Sequence, residues 1–337
     1  MWFGARDGQS LTLPLDVRAR LRKRPPPAWV APMLATLVDE PFSRDGWLFE
    51  PKWDGERCLV VRRGAELHLY SRNRKRIDDQ YPEVMAACAR QKARTYVADG
   101  ELVAFKDGVT SFAVLQQRMH VAHPSAELLR RVPVWLYLFD LLYVGAYDTR
   151  QVPLRYRKEL LRATLDFRAA VRFTEHRERD GEPYYREACA RRWEGIIAKN
   201  GDSVYVSRRT RDWLKFKCVN EQEFVIGGYT DPEGGRLGFG ALLVGYYRAG
   251  KLLYAGKVGT GFDTATLQSL GGRLAQVEND RSPFVGAGLP RHHVHWVKPK
   301  LVAEIRFSEW TKDGKLRHPR FRGLRDDKRP TEVVREG

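Results

Sequence analysis

The sequence is poor in cysteine. It has four in 337 residues, Cys58, Cys88, Cys189 and Cys218, all far apart. No Cys-x-x-Cys pair occurs, which removes zinc fingers and zinc ribbons. No apolar run approaches the roughly 18 residues that a membrane helix requires. The N-terminus, MWFGARDGQSLTLPLDV, lacks the basic, apolar, then small-residue order of a secretory signal. With no signal, the four thiols are expected to be reduced core residues of a cytoplasmic protein. No internal repeat is present, which excludes solenoids and propellers. Acidic side chains are the other shortage: 42 Asp and Glu face 59 Lys and Arg, a net charge of +17. Such an excess favours a polyanionic partner, either nucleic acid or an acidic membrane surface. It is spread along the chain rather than confined to one tail, so the folded body itself is expected to face the polyanion.

What remains is an ordinary globular composition, with 43% hydrophobic and 30% charged residues. The length suggests roughly two domains of about 150 residues each. Residues 1–28 end in Arg-Lys-Arg-Pro-Pro-Pro and read as a basic, Pro-rich arm, because three prolines favour an extended segment. The arm is either a linker or a weakly ordered extension. From 45 to 105 strands dominate, with a hairpin turning at Gly64, a helix at 83–94 and a strand at 96–105. VWLYLFDLLYV, residues 134–144, is a long buried strand, and Pro153 opens a helix with apolar residues at 154, 160, 161 and 165. EGIIAK and WLKFKC read as two short strands. From 221 short strands and Gly-rich turns suggest a small β-barrel. The expected division is the arm 1–28, an α+β domain of mixed antiparallel sheets with helices over 29–219, and the barrel over 220–337.

Lys52-Trp53-Asp54-Gly55-Glu56-Arg57 follows the strand WLFEP. A lysine beside a turn glycine at a strand end is a candidate nucleophile, which needs neighbouring cations or desolvation to stay neutral. Alone, the motif reads equally as a turn with a surface salt pair. Later elements narrow that reading. Asp99-Gly100-Glu101 is expected to end a strand. Glu194 precedes the buried strand GIIAK. Lys215 and Lys217 share one strand face, since side chains alternate with period two. Two cations on one face suit phosphate oxygens, and the two carboxylates Glu101 and Glu194 suit a hard divalent cation such as Mg²⁺.

The order KWDGER, SRN, DGE, LFDLLY, EGIIAK, WLKFK resembles the covalent nucleotidyltransferases: ATP-dependent DNA ligases, RNA ligases and mRNA capping enzymes. FRGLRDDK, residues 321–328, resembles the last motif of their OB-fold domain. GGYTDPEGGRLGFGALLVGYY, AGKVGTGF and WVKPKLVAEIRFSEWT resemble the OB domain of the ligase module of the bacterial end-joining ligase D family. The resemblance covers about residues 28–337. It implies an adenylation domain followed by an OB-fold domain, and an ATP-dependent DNA ligase acting in repair by end joining. It implies that Lys52 attacks the α-phosphate of ATP and carries AMP. Glu50 would read the adenine amino group, Phe139 would stack on adenine, and Arg57 would lie on the ribose side. Asp54 falls in the same nucleotide-binding motif. Glu101 and Glu194 would be linked to Mg²⁺ or Mn²⁺, and Lys215 and Lys217 would clamp the α-phosphate. Arg325, Asp327 and Lys328 would close over the pyrophosphate leaving group. Arg72 would grip phosphate near a nick.

Arg74 and Lys75, beside Arg72 in a basic run that continues to Arg76, are expected to contact DNA, the alternative being a solvated loop. His292, His293 and His295 invite a metal reading, but no carboxylate set is evident near them in sequence, and surface strand histidines are the expectation. Trp296 and Trp310 are expected to pack in the barrel rather than stack on bases. The implied partner is a DNA duplex with a nick or ends, and a Ku-type end-binding protein by resemblance. A nucleoid-associated monomer without membrane contact is expected. The 337 residues are expected to be taken up by the ligase module and the arm, whether as a stand-alone ligase or as a fragment of a longer chain. An RNA ligase or capping-type transferase, and a non-catalytic nucleic-acid-binding module, remain as alternatives.

Overall fold

The structure, a computed structural model, describes residues 12–232, 238–286, 288–290, 292–311 and 313–336. The chain divides into two compact units, Met1–Cys218 and Val219–Gly337.

The first unit is built on two sheets. Its main strands are Leu34–Leu37 (β1), Trp47–Pro51 (β2), Glu56–Arg63 (β3), Glu66–Ser71 (β4), Thr95–Val103 (β5), Trp135–Val144 (β6), Gly195–Asn200 (β7) and Arg209–Lys217 (β8). A seven-stranded sheet runs β4, β3, β5, β6, then the edge strands Tyr147–Asp148 and Arg22–Lys23, with Val171–Phe173 parallel to β6. A five-stranded sheet runs Arg177–Glu178, β2, β7, β8, β1, antiparallel except for the last pair.

Strand β3 reads CLVV without alternation because both of its faces are covered. Cys58 and Val60 enter one apolar cluster, together with Tyr81 and Val84 of the helix Pro82–Ala89 and Leu160 of the helix Leu154–Thr164. Leu59 and Val61 enter a second cluster with Val97, Phe139, Tyr205 and Trp213. The five-stranded sheet is two-sided in another sense. Phe49, Ile196, Ala198, Leu214 and Phe216 pack on one face against Tyr184 and Ala188 of the helix Gly181–Ala190. Its opposite face carries Glu50, Lys199, Trp213, Lys215 and Lys217, as the period-two alternation requires.

Four expectations change here. Residues 12–28 are no detached arm: Leu13 and Val17 are buried in the first cluster, and Arg22–Lys23 pairs with Tyr147–Asp148. The apolar side chains on either side of the basic residues supply that attachment. Residues 1–11 of the arm lie outside the described residues. Asp99-Gly100-Glu101 lies inside β5 rather than at its end. Gly100 permits this, because a Cβ there would meet the Tyr137 carbonyl oxygen at 2.6 Å. The helix expected at 83–94 spans only Pro82–Ala89, and Gln91 turns inward to bond Asp166. Finally, Cys189 and Cys218 form a disulfide, while Cys58 and Cys88 are buried thiols. Folding brings the ends of the helix Gly181–Ala190 and of β8 together, which sequence distance conceals.

The second unit is a curled antiparallel sheet of Asn220–Thr230 (β9), Leu242–Arg248 (β10), Lys251–Val258 (β11), Val294–Phe307 (β12) and Arg320–Leu324 (β13), in the order β11, β10, β9, β12, with β13 on β12. The helix Thr264–Ala275 is capped by Asp263 and sends Leu267, Leu270 and Leu274 into the same core. Trp296 and Trp310 pack against that core, Trp310 edge-on to Tyr246 and Phe307. Among the described residues no helix is long and apolar enough to cross a membrane.

In the first unit, Arg157 and Asp140 are both fully buried, joined at 2.7 and 2.8 Å, and Arg157 also donates to the Val152 and Ser203 carbonyls. Removing one partner strands a buried charge. Arg157→Met is therefore expected to lower stability by about 3–5 kcal/mol, measured as a fall in the urea midpoint. An unchanged midpoint would refute the point.

Candidate active site

Two glycines bring the site together. At Gly195 (φ +151°) a Cβ would lie 1.9 Å from the Phe216 carbonyl oxygen, so only glycine lets β7 and β8 approach so closely. That approach fixes Glu194, whose carbonyl accepts from Cys218 N at 3.0 Å. The Gly195 carbonyl in turn accepts from Lys52 N at 3.0 Å. The Lys52 ammonium and the Glu194 carboxylate consequently meet as an ion pair. At Gly55 a Cβ would lie 2.1 Å from the Leu102 carbonyl oxygen and 3.0 Å from Glu101 Cγ, so the turn after Lys52 lies directly on β5 beside Glu101.

The strand register places Glu50 opposite Ile197, Ile197 opposite Lys215 and Gly195 opposite Lys217. Glu50, Lys215 and Lys217 thus share one sheet face, and Lys52 continues the strand that carries Glu50. On the seven-stranded sheet Arg57 pairs across with Glu101. Arg57 holds Asp99 by two bonds of 2.6 Å and the Met33 carbonyl at 3.1 Å. The Tyr205 hydroxyl donates to Asp99 at 2.6 Å and accepts from Met33 N at 2.9 Å. Burial disfavours the Arg57 guanidinium, but Asp99 outweighs it and holds the group firmly charged. Phe139 lies at the floor, with Lys199 Nζ 4.0 Å and the Arg57 guanidinium 4.8 Å from its ring centre. Asp54 accepts from Phe112 N at 3.0 Å, which ties the turn to the segment that follows Val109–Thr110.

Two residues absent from the sequence reading stand at the centre. Lys158 and Lys199 each bind one oxygen of Glu50, both at 2.5 Å. All three side chains are 2% exposed. Lys158 also donates to the Thr174 carbonyl at 3.0 Å, and the Thr174 hydroxyl accepts from Trp53 Nε1 at 3.2 Å. Burial favours the neutral form of Glu50, but the two ammoniums outweigh it and lower its pKa. His176 faces the same cluster, and burial with nearby Lys158 lowers its pKa. The signal for Lys199 was in EGIIAK, at period-two spacing from Gly195 and Ile197. For Lys158 it was the broken apolar stripe of its helix: positions 154, 157, 158 and 161 share a face, and Arg157 and Lys158 fill its middle.

The remaining predicted residues lie elsewhere. Arg72, Arg74 and Lys75 form the turn after β4, at the edge of the seven-stranded sheet. Arg74 adopts φ +62° and lies over Trp29 at 5.8 Å, while Arg76 is committed to Asp78 at 2.7 Å. Arg325, Asp327 and Lys328 belong to the second unit. Arg325 binds Asp327 twice at 2.9 Å and Glu304 at 3.3 Å, and Lys328 binds Glu223 at 2.8 Å. Burial and then Arg325 act in opposite senses on Asp327, and the net effect lowers its pKa.

The histidines are not an isolated surface group. Carboxylates from distant sequence meet them: His295 Nε2 lies 2.7 Å from Asp231 and its Nδ1 3.5 Å from Glu278, and His293 lies 3.2 Å from Asp231. His293 precedes β12 rather than sharing its face with His295. Even so, among the described residues no group of three or more His, Cys, Asp or Glu could hold a metal ion.

A lysine paired with a carboxylate at the end of a strand, in a sheet whose one face carries two further lysines, is an arrangement suited to nucleotidyl transfer. The sequence family agrees. Residues 32–217 match the ATP dependent DNA ligase domain, and residues 235–328 match the ATP dependent DNA ligase C terminal region. The chain belongs to the ATP-dependent DNA ligase family. It is 40% identical over 316 residues to the multifunctional non-homologous end joining DNA repair protein LigD of Mycobacterium tuberculosis, covering 91% of this chain and 40% of that protein. It is 37% identical over 322 residues to the LigD protein of Pseudomonas aeruginosa, covering 93% and 37%. The chain thus spans about 40% of the length of these relatives. Among solved structures, mycobacterial DNA ligase D complexed with ATP and MES superposes with a TM-score of 0.64 at 36% identity, covering 91% of this chain and 98% of that one. The fold is accordingly an adenylation domain followed by an OB-fold domain.

Burial pushes the Lys199 ammonium down, Glu50 opposes that and Lys158 adds to it, leaving a pKa of about 8. Because the folded value lies below the ordinary 10.5, the folded chain releases its proton first, and stability rises with pH between about 8 and 10.5. A lysine Cε resonance titrating near pH 8, absent from Lys199→Met, is expected by NMR. Uniform titration of every lysine near 10.5 would refute it.

Proposed function

We propose that this chain seals DNA breaks bearing 5′-phosphate and 3′-OH ends, through lysyl-AMP and DNA-adenylate intermediates, in end-joining repair. The observation that carries the proposal is the Lys52–Glu194 ion pair at the strand ends of a sheet whose one face carries Lys215 and Lys217.

In the first step Lys52 passes a proton to solvent water and its Nζ lone pair attacks the α-phosphorus of ATP. A P–N bond forms, the bond to the bridging oxygen breaks, and pyrophosphate leaves. Lys215 and Lys217 offset charge on the α-phosphate and favour the neutral amine at Lys52. Glu50 and Phe139 contribute base binding, and Arg57 the ribose side. AMP then passes to the DNA 5′-phosphate, Lys52 is released, and the 3′-OH displaces AMP to close the strand. Anionic reactants take part in each transfer, so most of the catalysis is positioning and charge neutralisation.

Mg²⁺ or Mn²⁺ fits the donor set. Glu101 and Glu194 are hard oxygen donors, of the kind that hold a cation sharing its ligands with substrate phosphates. Such an ion supplies charge neutralisation on phosphate oxygens. Arg325, Asp327 and Lys328 are assigned to pyrophosphate departure, Asp54 to the tie that fixes the nucleotide-binding turn, and Arg72, Arg74 and Lys75 to the DNA backbone. A Ku-type partner, a monomeric state and residence on the nucleoid belong to the same proposal.

Lys52→Ala is expected to abolish the protein–AMP adduct without unfolding. Undiminished labelling by α-labelled ATP, or labelling by GTP instead, would overturn the assignment. Arg325→Ala is expected to block adenylation while sealing of pre-adenylated nicks persists. A variant that adenylates normally but fails to seal would contradict it. Comparing nicks with double-strand ends, with and without a Ku-type protein, tests the end-joining role.

A further inference from the structure

The Glu50 cluster is costly for an element of structure alone. Two lysines and one glutamate leave a buried excess of one positive charge, where an apolar cluster of equal volume would serve stability better. What the arrangement does supply is orientation. The terminal torsion of a glutamate is soft, with a broad two-fold profile, so a single ion pair leaves the carboxylate free to turn. Here each oxygen has its own ammonium, Lys158 on one and Lys199 on the other. Two anchors fix the plane. A carboxylate offers about four lone-pair directions. The two that the lysines take determine where the others point.

Lys158 is the more rigid anchor. Its nitrogen also binds the Thr174 carbonyl and lies 4.7 Å from the Phe173 ring centre. Thr174 receives the indole N–H of Trp53, the residue next to Lys52. One side chain therefore couples the orientation of Glu50 to the turn that carries the nucleophile.

We propose that Lys158 is a positioning residue for nucleotide selection: by clamping one oxygen of Glu50 while Lys199 holds the other, it aims the carboxylate at the exocyclic amino group of the adenine base. The proposal rests on the reading that Glu50 faces that amino group. Lys158 touches neither substrate nor reacting atoms and acts through Glu50.

The experiment compares ATP with purine riboside triphosphate, which lacks only the 6-amino group, as donors for enzyme adenylation. The wild-type protein is expected to favour ATP by about tenfold in KM, the scale of one well-placed hydrogen bond to a charged group. Lys158→Met is expected to raise KM for ATP by about that factor, leave KM for the purine analogue unchanged, and alter the adenylation kcat little. Lys158→Arg is expected to restore discrimination. In a Glu50→Gln background Lys158→Met is expected to add no further loss, because the two residues act as one unit. A Lys158→Met protein that still discriminates the two nucleotides, or loses both equally, would overturn the positioning role while leaving Glu50 in place. A wild-type protein that does not discriminate, or a Glu50→Ala protein that still does, would overturn the reading of Glu50 itself, and the proposal with it. If Lys158→Met does not fold, the comparison of Lys158→Arg with Lys158→Gln carries the same outcomes.

Discussion

The site depends on one close approach between strands. At Gly195 the backbone comes so near the Phe216 carbonyl that no other residue fits, and three consequences follow from that contact. Glu194 is held at the mouth of β7. The Gly195 carbonyl receives the Lys52 amide. The Lys52 and Glu194 side chains then face each other as an ion pair. A Cβ at 195 would separate all of these at once. The glycine of EGIIAK thus matters to the chemistry as much as its glutamate does, although it carries no functional group. Gly55 plays the same part on the other sheet, seating the turn after Lys52 against Glu101.

Two kinds of cation divide the work around that contact. Arginines form the fixed frame. Arg57 grips Asp99 and Arg157 grips Asp140, each through paired bonds, and Tyr205 ties Asp99 back to Met33. A guanidinium suits this task because it stays charged when buried and matches a carboxylate with two parallel bonds. Lysines occupy the opposite sheet face: Lys52, Lys199, Lys215 and Lys217. An ammonium is a point donor whose proton can be lost, and burial makes that loss easier, as at Lys199. Asp99 and Asp140 are held by the cation that cannot titrate, and Glu50 by the one that can.

Much of the site was legible because its chemistry sits at strand ends and on alternating positions. The spacing of Lys215 and Lys217 predicts a shared strand face, and the register bears that out. The failures have physical causes. Asp99 is a fully buried charge inside a strand, and its sequence neighbours do not reveal that Arg57 and Tyr205 satisfy it there. Lys158 was missed because a helix reader expects apolar residues on the inner face, and its partner is more than a hundred positions away. The Cys189–Cys218 bond, and the carboxylates that meet His293 and His295, are likewise contacts between segments distant in sequence. Local pattern identifies a face, but only the packed chain says which charges meet on it.

The excess of +17 takes on a different meaning in this light. Several of the buried and half-buried cations already have carboxylates beside them: Lys52 has Glu194, Lys158 and Lys199 share Glu50, Arg325 has Asp327 and Glu304, and Lys328 has Glu223. Such groups add little to the field at a distance. That field comes instead from exposed residues such as Arg74 and Lys75, and it acts on the rate at which a polyanion arrives. For Lys52, Arg325 and Lys328, the paired cations that the proposed mechanism brings to a phosphate, binding it is an exchange of one anion for another. An exchange avoids the cost of holding a bare charge in a buried site before substrate enters, and it leaves each carboxylate available when the phosphate departs. A ligase hands AMP from one acceptor to the next, so its inner charges must release a phosphate as readily as they take one. Matched pairs provide that reversibility, whereas a fixed pool of unmatched lysines would hold the intermediate too tightly to pass it on.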